Sequence, residues 1–428
     1  MRVSTAQIFQ QGLDGILRQQ GRLNATQLQL STGRKINSPS DDPVGAARLQ
    51  EIERAVQVQE VYDRNVSRTR QRLQVEESAI KDAGNLIQRV RELTVQASNA
   101  PLSDGDRGQI AVELRQRLDQ LVALANTRDG DGEFVFAGAQ AGTRPFVNEG
   151  GEITYKGDSI QRELSIGPGI TMRDGDTGDK VFMGIRDGNG VVSARQDENI
   201  ITGEANSGSG YIAVENAIDQ QAYINAGRDT YTIEFLDAER FVVRDGAGDL
   251  VAGFDDLIDD PDDPDTPPAQ IPAGVAYTPG ETITFDGVNV TLRGSPAEGD
   301  AFTVQPAQNQ SVFATLSDLI GALESGSATP ADAAVQRQGI DDALARLDRI
   351  ETRFLEVRSD IGGRLNTLDS VEDTIAEQSL SLETLVSDIR DLDYAEAITR
   401  LQKELVTLQA AQQSFARIQG LSLFQFLR

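Results

Sequence analysis

Large apolar residues recur at every seventh position near the start of the chain, at Phe9, Ile16, Leu23 and Leu30, and again at Val66, Leu73, Ile80 and Ile87. Towards the other end Ile375, Leu382 and Ile389 form a third row. Ile398, Leu401, Leu405, Leu408 and Phe415 form a fourth, in alternating steps of three and four, with Gln412 in the one expected apolar slot that is polar. This spacing keeps apolar side chains on one helical face and predicts long helices in coiled-coil-like bundles. Boundary signals fit. Asp42-Pro43 offers an N-cap followed by proline at the first helical position. Pro101 interrupts, Ser103 with Asp106 restarts as a capping-box pair, and Ile110, Leu114, Leu118 and Leu121 mark the face that follows. Thr329-Pro330 with Asp332 repeats the device.

The middle of the chain reads differently. Tyr231–Phe235, Phe241–Val243, Thr282–Phe285, Val288–Leu292 and Phe302–Val304 are short, β-branched or aromatic, and separated by Gly- and Asp-rich turns. Glu133–Ala137 follows Asp129-Gly130-Asp131-Gly132, a hairpin-type sequence, and predicts a smaller β element. Ten of the 14 prolines and 24 of the 40 glycines fall within 146–330, and no proline follows Pro330. Helix interiors exclude both residues, so the order is helix, then β, then helix. The fold class expected is α+β multidomain: a terminal coiled-coil-like α-helical bundle built from both chain ends, with a β-rich central insertion. Residues 1–43 with 389–428 would form a terminal helical coiled-coil domain. Residues 44–145 with 331–388 would form a helical stalk with a small β-hairpin, and 146–330 a β-rich outer domain of one or two subdomains.

Charge sharpens this division. The chain of 428 residues carries a net charge of −27, almost all of it in the middle: residues 1–145 hold 19 basic and 18 acidic side chains, residues 146–330 hold 10 and 32. Nucleic acid and anionic membranes would repel such a surface. Cysteine and histidine are absent, which removes disulfides, thiolate and imidazole metal sites, and Cys- or Ser–His nucleophiles. The alternating carboxylates of Asp174-Gly175-Asp176-Thr177-Gly178-Asp179 suggest calcium, but Asp179 stands where a calcium loop needs glycine, so a turn is the better reading. Asp255–Pro268 reads as a solvated acidic loop, and Gly362-Gly363 as a flexible point or close contact inside a helix. No apolar run has the length of a signal-peptide core or a membrane span. No catalytic, cofactor-binding or metal-ligating residue stands out, no cofactor is expected, and an enzyme is not the expectation.

The terminal rows are hard to satisfy within one chain. The burial available to residues 1–43 does not clearly exceed the entropy of ordering them, so stable ends call for surface supplied by other copies. Phe9, Ile16, Leu23, Leu30, Ile398, Leu401, Leu405, Leu408 and Phe415 are therefore the expected assembly interface.

Particular strings add a resemblance. Leu28–Ala47, LQLSTGRKINSPSDDPVGAA, resembles the N-terminal signature of flagellins and flagellar hook-associated proteins, notably at Asn37, Ser38, Asp41 and Asp42. Phe134-Val135-Phe136-Ala137-Gly138 is similar to a segment of the hook-associated protein 3 family. So is the ending from Tyr394 through Phe415 to Gly420 and Leu421, and Gly287–Pro306 resembles a β repeat of hook-associated proteins. The resemblance implies a subunit exported unfolded by the flagellar type III apparatus without a cleaved signal peptide. It further implies a chaperone bound near the C-terminus and assembly as a ring between hook-associated protein 1 and flagellin, outside the cell. Flagellin itself, a surface-exposed binding module and an intracellular coiled-coil scaffold are the alternatives.

Overall fold

The computed structural model describes residues 5–99, 102–215, 218–227, 230–259 and 270–426, and the side chains of 5, 6, 8, 9, 259 and 418–426 lie outside that description. Seven α-helices are present among the described residues: α1 Thr5–Thr32, α2 Pro43–Ala97, α3 Asp104–Ala125, α4 Gln220–Ala226, α5 Val312–Glu324, α6 Pro330–Arg390 and α7 Tyr394–Phe426. The chain divides into two compact units, whose limits fall inside α2 and α6 and on either side of residues 165–170.

The first unit comprises residues 1–67, 165–170 and 368–428. It begins α2 at Pro43, where the missing proline N–H costs nothing and Asp42 Oδ1 accepts a hydrogen bond from the Gly45 amide at 3.0 Å. Gln59 Nε2 donates to the Ile375 carbonyl at 3.4 Å, tying α2 to α6 within the unit. Ile52, Val66, Leu368 and Ile375 are buried there.

The second unit comprises 68–164 and 171–367. Leu73, Ile80 and Ile87 are fully buried, as their seven-residue spacing predicts. Ser103 and Asp106 form the expected capping box, Ser103 accepting from the Asp106 amide at 3.2 Å and Asp106 from the Ser103 amide at 3.1 Å. Thr329 and Asp332 do the same for α6. The β part is antiparallel throughout. A five-stranded sheet runs Val275–Ala276, Arg240–Asp245, Tyr231–Phe235, Ala301–Pro306, Val192–Gln196, and a three-stranded sheet runs Thr282–Phe285, Val288–Arg293, Tyr211–Val214. Their apolar faces meet in one core that includes Ile233, Phe235, Phe302, Val290 and Leu292.

One expectation is corrected. Glu133–Ala137 is not a strand; only an isolated bridge joins Arg128 to Phe134. Its backbone instead serves other elements, with the Phe136 carbonyl accepting from Gly178 N at 2.8 Å and from Tyr155 Oη at 3.0 Å. Buried aromatic packing outweighs the hairpin signal: Phe136 meets Phe182 at 5.1 Å, and Phe146 meets Phe313 at 5.0 Å. The β-rich centre also holds the helix α5. Ser311 caps α5 by accepting from the Ala314 amide at 2.8 Å, and Phe313, Leu316, Leu319, Ile320 and Leu323 bury one face, packed on α3. Gly362 and Gly363 lie inside α6 with open space where a Cβ would project, so close contact is not their reason.

Candidate assembly surface

In the first unit α1 and α7 pack antiparallel. Phe415 seats against Gly12, where an added Cβ would come within 2.8 Å of the ring, and Gln19 Nε2 donates to the Glu404 carbonyl at 3.4 Å. This register sets Ile16 level with Leu408 and Leu23 level with Leu401. Leu23 is buried, and Ile16, Leu30, Leu401, Leu408 and Phe415 are half-buried. The side chains of Phe9, Gly420 and Leu421 lie outside the described residues.

The fourth row splits in two. Leu401, Leu408 and Phe415 lie on the seven-residue line that meets α1, whereas Ile398 and Leu405 lie four residues off it and face solvent. With them, Leu13, Leu17 and Leu28 on α1 and Val406 on α7 stay open; the six are 47% and 40%, then 41%, 54%, 51% and 66% exposed. Sequence reasoning missed Leu13, Leu17 and Leu28. Their spacing of four and eleven was a readable stripe, but it ran beside the seven-residue row that drew attention.

The signature residues serve a different purpose: they shape the α1–α2 turn. Asp41 Oδ2 accepts from the amides of Asn37 at 3.0 Å and Ser38 at 2.8 Å, and Asn37 Nδ2 donates to the Arg34 carbonyl at 3.2 Å. Gly33, at φ +70°, brings the chain under the Tyr394 hydroxyl, where any Cβ would lie 2.8 Å from that oxygen. This turn is stapled to the α6–α7 turn: the Lys35 amide donates to the Arg390 carbonyl at 2.7 Å, and the Leu392 amide to the Gly33 carbonyl at 3.0 Å. Asp393 caps α7, accepting from the Ala395 amide at 2.9 Å. The stapled turns fix where α1 ends and α7 starts, and so which residues of each face the other.

Two of the three carboxylates of the Asp174–Asp179 string are taken by cations of the chain, and Asp179 accepts from the Ser159 hydroxyl at 2.6 Å. Asp174 Oδ2 accepts from Arg162 at 2.8 Å, and Asp176 pairs with Lys180 at 3.1 Å and with Arg364. Among the described residues no helix is long and apolar enough to cross a membrane.

Comparison with known proteins bears first on the helical ends of the chain. Models of the bacterial flagellin N-terminal helical region and C-terminal helical region match residues 3–141 and 338–427, together more than half of the chain. This chain belongs to the flagellin family. Within that family its likeness is not to flagellin along the whole length. It is 25% identical over 426 residues to the flagellar hook-associated protein 3 of Escherichia coli (strain K12), covering 99% of both chains. Its structure superposes on the flagellar junction protein FlgL from Legionella pneumophila with a TM-score of 0.65 at 29% identity, covering 80% of this chain and 100% of that one. Phase 1 flagellin of Salmonella naestved matches over 113 residues, 26% of this chain and 22% of its own. The match to Phase 1 flagellin is confined to about a quarter of the chain, whereas the match to the Escherichia coli hook-associated protein 3 runs through the centre.

Proposed function

We propose that the chain is a structural, non-enzymatic subunit of the bacterial flagellum: an adaptor at the hook–filament junction, joining hook-associated protein 1 on one side to flagellin on the other. The observation that carries this reading is likeness to a hook-associated protein 3 along the whole length, in a chain whose α1–α7 pair leaves an apolar stripe open. Residues 1–43 and 389–428 pack with neighbouring copies as an inner tube. Residues 44–145 and 331–388 form a helical stalk domain, and 146–330 a β-rich domain. Ile16, Leu23, Leu30, Leu401, Leu408 and Phe415 form and support the α1–α7 pair. Ile398 and Leu405, with the exposed leucines of α1, meet the next copy. The chain is exported without a cleaved signal peptide, accompanied by a chaperone at its C-terminal end, and acts outside the cell.

The test is genetic. A strain lacking this chain should keep its hooks, lose its filaments and shed flagellin monomer into the medium, with rescue by the intact gene. Persistence of normal filaments would refute the adaptor role. Growth of long filaments from the purified chain alone would favour flagellin instead.

A further inference from the structure

The second unit buries a group of charges for which assembly has no use. Glu76 on α2 is fully buried; its Oε1 accepts from the Asp176 amide at 3.1 Å, and its Oε2 has no hydrogen-bond partner among the described residues. Gly175 presses on the same carboxyl, since a Cβ there would lie 3.3 Å from Oε2 and 3.4 Å from Arg72 Nε.

The elements packed around Glu76 bring charges mostly engaged with other carboxylates, although Arg72 Nε and Arg364 Nη1, like Glu76 Oε2, have no hydrogen-bond partner among the described residues. On α2 itself, Arg72 donates to Asp129 at 2.6 Å and to the Phe134 and Val135 carbonyls, each at 3.0 Å. From the Asp174–Asp179 segment come Asp176 and Asp174, the latter held by Arg162 at 2.8 Å. Arg162 also donates to Glu133 at 2.9 Å. From α6 comes Arg364, paired with Asp176, which Lys180 also contacts at 3.1 Å. Four cations thus meet four carboxylates, with the exposed pair of Arg68 and Asp131 at the margin. Glu76 is the carboxyl left over, and a buried fifth negative charge would be uncompensated.

Burial, reinforced by the Asp176 charge, pushes the Glu76 carboxyl up to about 8. Burial works against ionised Asp176 too, but Arg364 and Lys180 outweigh it and hold that carboxyl below its ordinary value. The pair thus divides its roles: Asp176 is ionised and Glu76 carries a proton.

We propose that Glu76 is a proton-dependent clasp, which as a neutral acid holds the Asp174–Asp179 segment between α2 and α6 and on ionising releases it. The sign follows from linkage. A carboxyl raised in the folded state contributes stability that is fully present below its unfolded value near 4.5 and is lost as pH rises through about 8. The segment is therefore closed in acidic and neutral media and loosens in alkaline ones.

Hydrogen exchange of the full chain, followed by mass spectrometry on peptides covering residues 172–180, tests this at pH 6.5 and pH 9.5 with times scaled to intrinsic exchange. In the wild type, protection should fall roughly tenfold or more at the higher pH. In Glu76→Gln, neutral at both values, protection should not change. Equal protection of the wild type at both pH values, or the same fall in Glu76→Gln, would overturn the proposal. If Glu76→Gln does not fold, the carbon-13 shift of the Glu76 carboxyl in the wild type decides. A midpoint of 7 or above supports the clasp, and a midpoint below 7 overturns it.

Discussion

Leu405→Asp separates intermolecular burial from burial within the chain. The six open side chains of the α1–α7 pair retain together about three side chains' worth of exposed surface. Covering it would contribute roughly 4–9 kcal/mol per subunit, at roughly 1.5–3 kcal/mol for each large apolar side chain fully buried. Leu405 supplies about 1 kcal/mol of that. An aspartate there adds the cost of removing a carboxylate from water, which is several kcal/mol when no cation meets it. The loss should exceed about 3 kcal/mol per contact, roughly a hundredfold in the association constant. In the isolated subunit Leu405 is already 40% open to water, so folding should lose no more than about 1–2 kcal/mol. The assay pairs thermal melting of purified monomer by circular dichroism with complementation of a deletion strain in soft-agar motility. Leu405→Asp should melt cooperatively at a modestly lower temperature and fail to restore motility. Leu408→Asp lies within the α1–α7 pair and should lower helicity as well as assembly. If Leu405→Asp restores full motility, the open stripe is not a subunit contact.

Asp300 is fully buried and accepts from the Ser207 and Gly208 amides, each at 2.9 Å, and from the Ala297 amide at 2.8 Å. Asp300→Ala strands these donors and should cost about 3–5 kcal/mol of stability, read as a lower urea midpoint of the β signal in circular dichroism. Phe182→Ala removes the ring that touches Phe136, Phe146, Phe313 and Phe354, and should cost about 3–5 kcal/mol by the same measurement. Ser103→Ala breaks one half of the capping box and should cost about 1 kcal/mol, with faster amide exchange confined to the first turn of α3.

Local signals were legible wherever a few neighbouring residues decide the outcome. The starts of α2, α3 and α6 follow from proline, aspartate, serine and threonine, whose side chains satisfy the first free amides of a helix whatever the rest of the fold does. The strands at Tyr231–Phe235 and Thr282–Phe285 were readable to the residue, because alternation and flanking turns coincide. The helix α5 was lost because a high content of glycine and proline described the region as a whole, while Ser311 and the periodic row behind it described thirteen residues. The Glu133–Ala137 prediction failed because a turn sequence needs a partner strand, and here neighbouring side chains claim the carbonyls.

The sequence by itself determined the helical ends, the β centre, the uneven charge and the family, because periodicity, capping and signature strings act over short distances along the chain. Only the tertiary structure decided which apolar residues are free. Leu401 and Leu405 are alike in sequence, yet the stapled turns at Gly33 and Leu392 set the register of α1 on α7, turning one inward and leaving the other to water. The same holds for charge. That Glu76 has no cation of its own depends on Arg72, Arg162, Lys180 and Arg364 arriving from distant parts of the chain and being taken by other carboxylates. Long-range packing, unlike local periodicity, leaves no mark in the spacing of residues.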